Sequence, residues 1–128
     1  MALLRAGFFR ELDHGSEQDP SIHEARREAA QPDEAAVAGY LESAPTLAVM
    51  FSRFDDYFNP EKRAIATLLI RTDGTWCWPS SLPYYVREYH VVPPAGFVAH
   101  MQQLSWQPPE LTKDELSRLS EEEIRNAS

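Results

Sequence analysis

Hydrophobic positions along this chain follow two different periods, one typical of strands and one typical of helices. Short apolar or alternating runs predict strands at residues 2–10, 46–51, 64–71 and 75–78. The run TLAVMF at 46–51 is almost continuously apolar, so we expect a buried strand there. In the last run Trp76 and Trp78 alternate with Thr75 and Cys77. The two tryptophans should therefore share one face of the sheet.

Asp73-Gly74 separates the last two predicted strands. An Asp-Gly pair between two strand-like runs is a strong hairpin indicator, because both residues tolerate positive φ. We therefore expect a tight antiparallel connection from 64–71 to 75–78, with Gly74 at positive φ.

Apolar residues spaced three and four apart predict helices that each turn one stripe toward a core. The stripes are Val37, Tyr40, Leu41 and Ala44 after Pro32; Leu82, Tyr85, Val86 and Tyr89 after Ser80-Ser81; and Phe97, Val98 and Met101 after Pro94. Two capping boxes, Ser21 with Glu24 and Thr112 with Glu115, predict a short helix over 22–30 and a charged C-terminal helix.

These elements predict an α+β fold. We expect a short, mainly antiparallel sheet of about four strands, with helices packed on one face and a charged C-terminal helix. A long connection separates the first two strands, which allows the first strand to lie parallel to its neighbour in the sheet. Residues 1–108 should form a single domain, and residues 109–128 a charged helical appendage.

The charge balance narrows the classes of partner. Twenty acidic against twelve basic residues give the 128-residue chain a formal charge of −8. Such a field repels phosphate backbones, which disfavours nucleic acid, and suits a basic protein partner or solubility alone. The single cysteine excludes an internal disulfide and is compatible with a cytoplasmic protein. No apolar run approaches the length of a membrane helix, so no membrane partner is expected.

Cys77, His90 and His100 are the nearest approach to a catalytic or metal-binding set. A thiolate beside an imidazole can act as a nucleophile, and these three side chains together could hold zinc. Their separations of 13 and 10 positions are not diagnostic of either site. We therefore predict no catalytic residue, metal site or cofactor, and keep a small thiol- or metal-dependent enzyme or ligand-binding protein as the alternative.

Surplus aromatic residues and an acidic segment predict the binding surface. Trp and Tyr are frequent anchors of protein interfaces, and Trp76, Trp78, Tyr84 and Tyr85 lie within ten residues. The segment that carries Asp55, Asp56 and Glu61 lacks the glycine and alternating ligands of a calcium loop. We predict that the four aromatic residues are partner-binding anchors and that Asp55, Asp56 and Glu61 form an acidic rim.

The pattern TDGxWxWPxxLxYYVxxYxVxxPxxF, which begins at Thr72, resembles small uncharacterised acidic proteins of GC-rich bacteria. That resemblance implies no catalytic residues. In size and acidity alone, the chain is also similar to the immunity proteins that neutralise bacterial toxins. The sequence thus predicts a non-enzymatic acidic protein-binding module, with an immunity-like inhibitor as its most specific form. A homodimer formed through exposed aromatic residues is a further possibility.

Overall fold

The computed structural model describes residues 3–127, with side chains up to residue 122. The elements in chain order are β1 (Leu4–Arg5), α1 (Ile22–Ala25), α2 (Glu34–Ser43), β2 (Thr46–Phe54), β3 (Ala66–Thr72), β4 (Trp76–Pro79), α3 (Ser81–Tyr89), α4 (Ala95–Gln103) and α5 (Lys113–Ala127). The four strands form one sheet in the order β1-β4-β3-β2. β1 is parallel to β4, and the other pairs are antiparallel. The predicted α+β class is confirmed.

The predicted hairpin joins β3 to β4, with Thr72 opposite Cys77 and Gly74 at φ +94°. The buried Asp73 carboxylate organises the turn. Its Oδ1 accepts hydrogen bonds from the backbone N–H groups of Thr75 and Trp76, at 2.9 and 2.7 Å. Its Oδ2 accepts the hydroxyl of Tyr40 on α2 at 2.5 Å. The turn is thereby fixed to the helical layer as well as to the sheet.

Helices α2, α3 and α4 cover one face of the sheet. The fully buried side chains there include Trp78 of β4, Tyr40 and Leu41 of α2, Tyr85 of α3 and Phe97 of α4. The four helical residues among them are members of the predicted stripes, so the three- and four-residue spacing identified the core-facing sides of these helices correctly.

A second, smaller cluster lies on the opposite face. Leu3, Phe8 and Cys77 are buried there, and Leu119 of α5 packs against them. The capping box that starts α5 is present: Glu115 N–H donates to Thr112 Oγ1 at 3.1 Å, and Thr112 N–H donates to Glu115 Oε1 at 3.2 Å. The charged C-terminal helix thus contacts the second face. The division of the chain at residues 108 and 109 stays a prediction.

Two predicted elements are much shorter in the structure, and the bounds of the other three strands shift by one to three residues. The first strand is Leu4–Arg5 rather than 2–10, because the chain turns at Gly7, where φ is +78°; Ala2 lies outside the described residues. The first helix ends at Ala25 rather than at residue 30.

The capping box at Ser21 does not form. The carboxylate of Glu11 accepts hydrogen bonds from the hydroxyl of Ser21 and the backbone N–H of Ile22. Ser21 Oγ in turn accepts the backbone N–H of His23. Burial acts to raise the pKa of Glu11, but these hydrogen bonds outweigh it and the pKa is lowered. Glu11, which is distant in sequence, therefore caps the start of this helix in place of Glu24.

The prediction that 46–51 is buried is wrong. Strand β2 lies at an edge of the sheet, and most of its residues are exposed or half-buried. A continuous apolar run is typical of a strand enclosed on both faces, but the position in the sheet decides whether that enclosure exists.

Replacement of Gly74 by valine should destabilise the protein by about 1–3 kcal/mol, the range for strained backbone positions. A Cβ at Gly74 would lie 3.6 Å from the nearest atom of Leu111, so the loss comes from backbone strain rather than a clash. Thermal unfolding is the measurement. Gly39→Ala in α2 is the control, and should stabilise the helix by roughly 0.5–1 kcal/mol. Equal stability of Gly74→Val and wild type would contradict the hairpin geometry.

Candidate functional site

The two tryptophans share one face of β4, as predicted, but they form core rather than surface. Trp78 is fully buried, and its Nε1 donates to the carbonyl oxygen of Leu41 at 3.1 Å. Trp76 is half-buried and stacks on Phe97, with ring centroids 4.6 Å apart and planes 13° apart. Trp78 therefore presents no surface to a partner in this structure, which gives no support to its predicted role as an anchor.

The predicted tyrosine anchors hold the 55–65 loop, which connects β2 to β3. Tyr85 is fully buried; its hydroxyl donates to the carbonyl oxygen of Asp55 at 2.9 Å and accepts the N–H of Tyr57 at 3.0 Å. The half-buried Tyr84 donates its hydroxyl to Asp56. These hydroxyls fasten the loop to α3, so they are used inside the molecule.

Asp56 is the buried centre of this arrangement. Its Oδ2 accepts the hydroxyls of Tyr84 and Tyr89, both at 2.6 Å. Its Oδ1 accepts the N–H groups of Phe58 and Asn59 at 2.8 and 3.0 Å. Burial acts to raise the pKa of Asp56, but the four hydrogen bonds outweigh it and the pKa is lowered. Burial and the same carboxylate raise the pKa of Tyr89 to about 12. Of the predicted acidic rim, Asp56 is buried and so cannot meet a partner in this structure, whereas Asp55 and Glu61 are exposed.

Cys77, His90 and His100 are held by different parts of the fold. Cys77 is buried in the cluster on the second sheet face. His90 ends α3, and its Nδ1 lies 2.6 Å from Glu34 Oε1. His100 of α4 places Nε2 3.1 Å from Asp73 Oδ2, without the alignment of a hydrogen bond. Among the described residues, no three His, Cys, Asp or Glu side chains are grouped to hold a metal ion.

The exposed surface that the sequence did not predict lies on β2. Val49, Met50 and Phe51 are consecutive, and their exposed fractions are 46%, 47% and 93%. Soluble proteins often expose single hydrophobic side chains, whereas three exposed ones in succession on an edge strand make a candidate interaction surface. We call these three residues the β2 patch.

The backbone of β2 is irregular at this patch. Val49 pairs with Leu69 and Arg53 pairs with Thr67. Met50, Phe51 and Ser52 therefore stand opposite Leu68 alone, which is a β-bulge. Phe51 has φ +54°, a left-handed conformation that is unusual for a bulky residue. Strain of this kind concentrates at functional sites.

A cleft of about 570 Å³ adjoins the patch, and Met50, Arg53, Asp55 and His14 are among its lining residues. His14 Nε2 lies 2.9 Å from Ser81 Oγ, and burial lowers the pKa of His14 against the opposing charge of Asp13. A neutral imidazole beside a serine suits a general base. Ser81 is fully buried and does not line the cleft, so this pair ties the loop after β1 to α3 and presents no nucleophile.

Comparisons of the chain with protein-family models, curated proteins and solved structures found no match. The resemblance to small acidic bacterial proteins therefore stays a prediction, and residue roles rest on the geometry above. No helix within residues 3–127 is long and apolar enough to cross a membrane.

Replacement of Asp56 by asparagine tests the loop attachment. We expect a loss of about 1–3 kcal/mol in the free energy of unfolding at neutral pH, because charged acceptors make the stronger hydrogen bonds. Glu61→Gln, an exposed change in the same loop, is the control and should have no effect.

The pH dependence of this loss has a defined sign. The pKa of Asp56 is lowered on folding, so its contribution is complete above about pH 4, near the ordinary value. It is lost as the pH falls through the folded value. The difference between Asp56→Asn and wild type should therefore shrink on acidification, measured by urea denaturation. A difference that is constant with pH would contradict this assignment.

Phe51→Gly should stabilise the protein. A non-glycine residue in the left-handed region costs roughly 1–2 kcal/mol, whereas glycine loses roughly 0.5–1 kcal/mol more backbone entropy on folding. Because the ring is 93% exposed, its removal takes little from the core. We expect a net gain of about 0.5–1 kcal/mol in the free energy of unfolding, measured by urea denaturation. A net loss would show that the ring or the bulge stabilises the fold.

Proposed function

We propose that this chain is a non-enzymatic, acidic protein-binding module, and that the β2 patch is its contact surface. The observation that carries the proposal is Phe51, which is 93% exposed and held at positive φ within a run of exposed apolar residues. A left-handed backbone is disfavoured for residues other than glycine, and strain of this kind at an exposed site supports a binding role.

The bulge favours contact through side chains. An open edge strand usually offers its N–H and C=O groups to a further strand, and bulges are among the devices that prevent this pairing. With Met50, Phe51 and Ser52 opposite a single residue of β3, the regular ladder is interrupted. A large aromatic side chain contributes most when a pocket of the partner buries it. The partner proposed is therefore a folded protein that presents an apolar pocket.

Charge supports a basic partner. The chain carries a formal charge of −8; in the loop that follows β2 the exposed Lys62 and Arg63 balance Asp55 and Glu61, so the argument rests on the total charge. Complementary charge chiefly accelerates encounter. In its most specific form the proposal is an immunity-like, cytoplasmic inhibitor that covers a partner protein. The same charge disfavours nucleic acid as the partner.

An enzyme built on Cys77, His90 and His100 receives no support from the geometry. The thiol lies on one face of the sheet, and the imidazoles lie beside Glu34 and Asp73. A thiol–imidazole nucleophile requires the two groups within hydrogen-bond reach. The binding module is therefore the function that the arrangement supports best.

Affinity capture from a lysate of the source organism tests the proposal, with wild type, Phe51→Gly and Leu4→Ser as baits. Leu4 is 53% exposed on β1, at the opposite edge of the sheet, so its variant is a matched control for loss of an exposed apolar side chain. We expect one partner to be retained by wild type and Leu4→Ser and lost by Phe51→Gly, because the ring anchors the contact.

The salt dependence of the captured complex tests the charge argument. Its association rate, measured by surface plasmon resonance, should fall as salt rises. Equal capture by all three baits would remove the β2 patch from the proposal. A salt-independent rate would contradict a basic partner.

A further inference from the structure

An apolar groove opens on the helical side of the molecule, where the start of α2 meets the end of α3 and the start of α4. It has a volume of about 470 Å³, and its lining residues include Val37, Val86, Val91, Val92 and Val98. The charged groups among its described lining residues are both carboxylates, those of Asp33 and Glu34. Glu34 is paired with His90, so Asp33 is the carboxylate that remains at the rim of this apolar groove.

We propose that Phe51 of one molecule inserts into this groove of a second copy. The inference rests on the proposed function in taking the β2 patch as a contact surface, and it names a second copy as the occupant of the groove. Each molecule carries both halves of the contact: an aromatic side chain that is almost wholly exposed, and an open apolar groove away from that side chain. An apolar projection that fits a pocket elsewhere on the same molecule produces head-to-tail association.

Local charges fit this pairing. Arg53 follows Phe51 by two residues, and its guanidinium donates to the carbonyl oxygens of Ala64 and Ile65 at 3.1 and 3.3 Å. A guanidinium has five N–H donors, so it retains donors for a carboxylate. Asp33 precedes α2 without a side-chain capping hydrogen bond, which leaves its carboxylate to receive them at the groove rim.

The total charge opposes self-association but does not decide it. Two copies of charge −8 repel each other, yet charges farther apart than roughly 8 Å are largely screened at physiological salt. The groups that meet in the contact are the aromatic ring, the valines, an arginine and a carboxylate. Their attraction acts at short range, where screening is weakest.

Two single variants separate the halves of the contact. Phe51→Gly removes the ring and leaves the groove intact. Ala95→Arg places a long cationic side chain at an exposed lining position of the groove, opposite the approach of Arg53. Gly96→Arg is the matched control, because a side chain at this neighbouring position meets open space and does not line the groove.

Sedimentation over a range of concentrations gives the result. Wild type and Gly96→Arg should exceed the chain mass of 14.6 kDa as concentration rises. Phe51→Gly and Ala95→Arg alone should associate at least about tenfold more weakly, as expected for loss of an interface anchor. An equimolar mixture of these two variants should recover association and stop at two chains, because one supplies the ring and the other the groove.

Three outcomes would overturn the inference. They are a wild type that stays at one chain mass, variants that associate as wild type does, and a mixture that stays monomeric while wild type associates. Association of Ala95→Arg as strong as that of wild type, with Phe51→Gly monomeric, would indicate instead that two β2 patches pair with each other. If the wild type is monomeric but captures a partner through Phe51, the proposed function stands and this inference fails. If the wild type self-associates but captures no partner, this inference stands and the proposed function fails.

Discussion

The contact between the layers of this protein depends on the hydrogen bonds that the Asp73 carboxylate accepts. One oxygen fixes the N–H groups of Thr75 and Trp76 in the turn, and the other accepts the hydroxyl of Tyr40 from α2. Burial and this hydrogen bond raise the pKa of Tyr40 well above its usual range, so the phenol keeps its proton. Because the turn sets the register of β4, it also decides which residues of β4 face each core.

Aromatic residues of the types common at interfaces make contacts inside this fold instead. Trp78 fills the core between the sheet and the helices, while Tyr84, Tyr85 and Tyr89 hold the 55–65 loop on α3. A buried carboxylate with four hydrogen bonds is a specific fastening, since removal of any donor leaves charge poorly solvated. These hydrogen bonds attach the loop to α3 next to the end of β2, close to the β2 patch.

Strain and exposure coincide at Phe51 and nowhere else on the described part of β2. In the isolated molecule the left-handed backbone lowers stability. The almost fully exposed ring lowers solubility. Stability and function commonly oppose each other at binding sites. In the proposed contacts, a pocket in a partner or in a second copy would bury this ring.

The sequence by itself determined the α+β class, the hairpin at Asp73-Gly74, the helical stripes and the opposite facing of Trp78 and Cys77. These follow from local periodicity and from the conformational freedom of glycine, which neighbouring residues alone specify. Tertiary structure decided that β2 lies at an edge, that Asp56 is buried beneath tyrosines, and that Glu11 displaces Glu24 at Ser21. Each of these depends on residues distant in sequence, because burial and hydrogen-bond competition arise only when the elements pack.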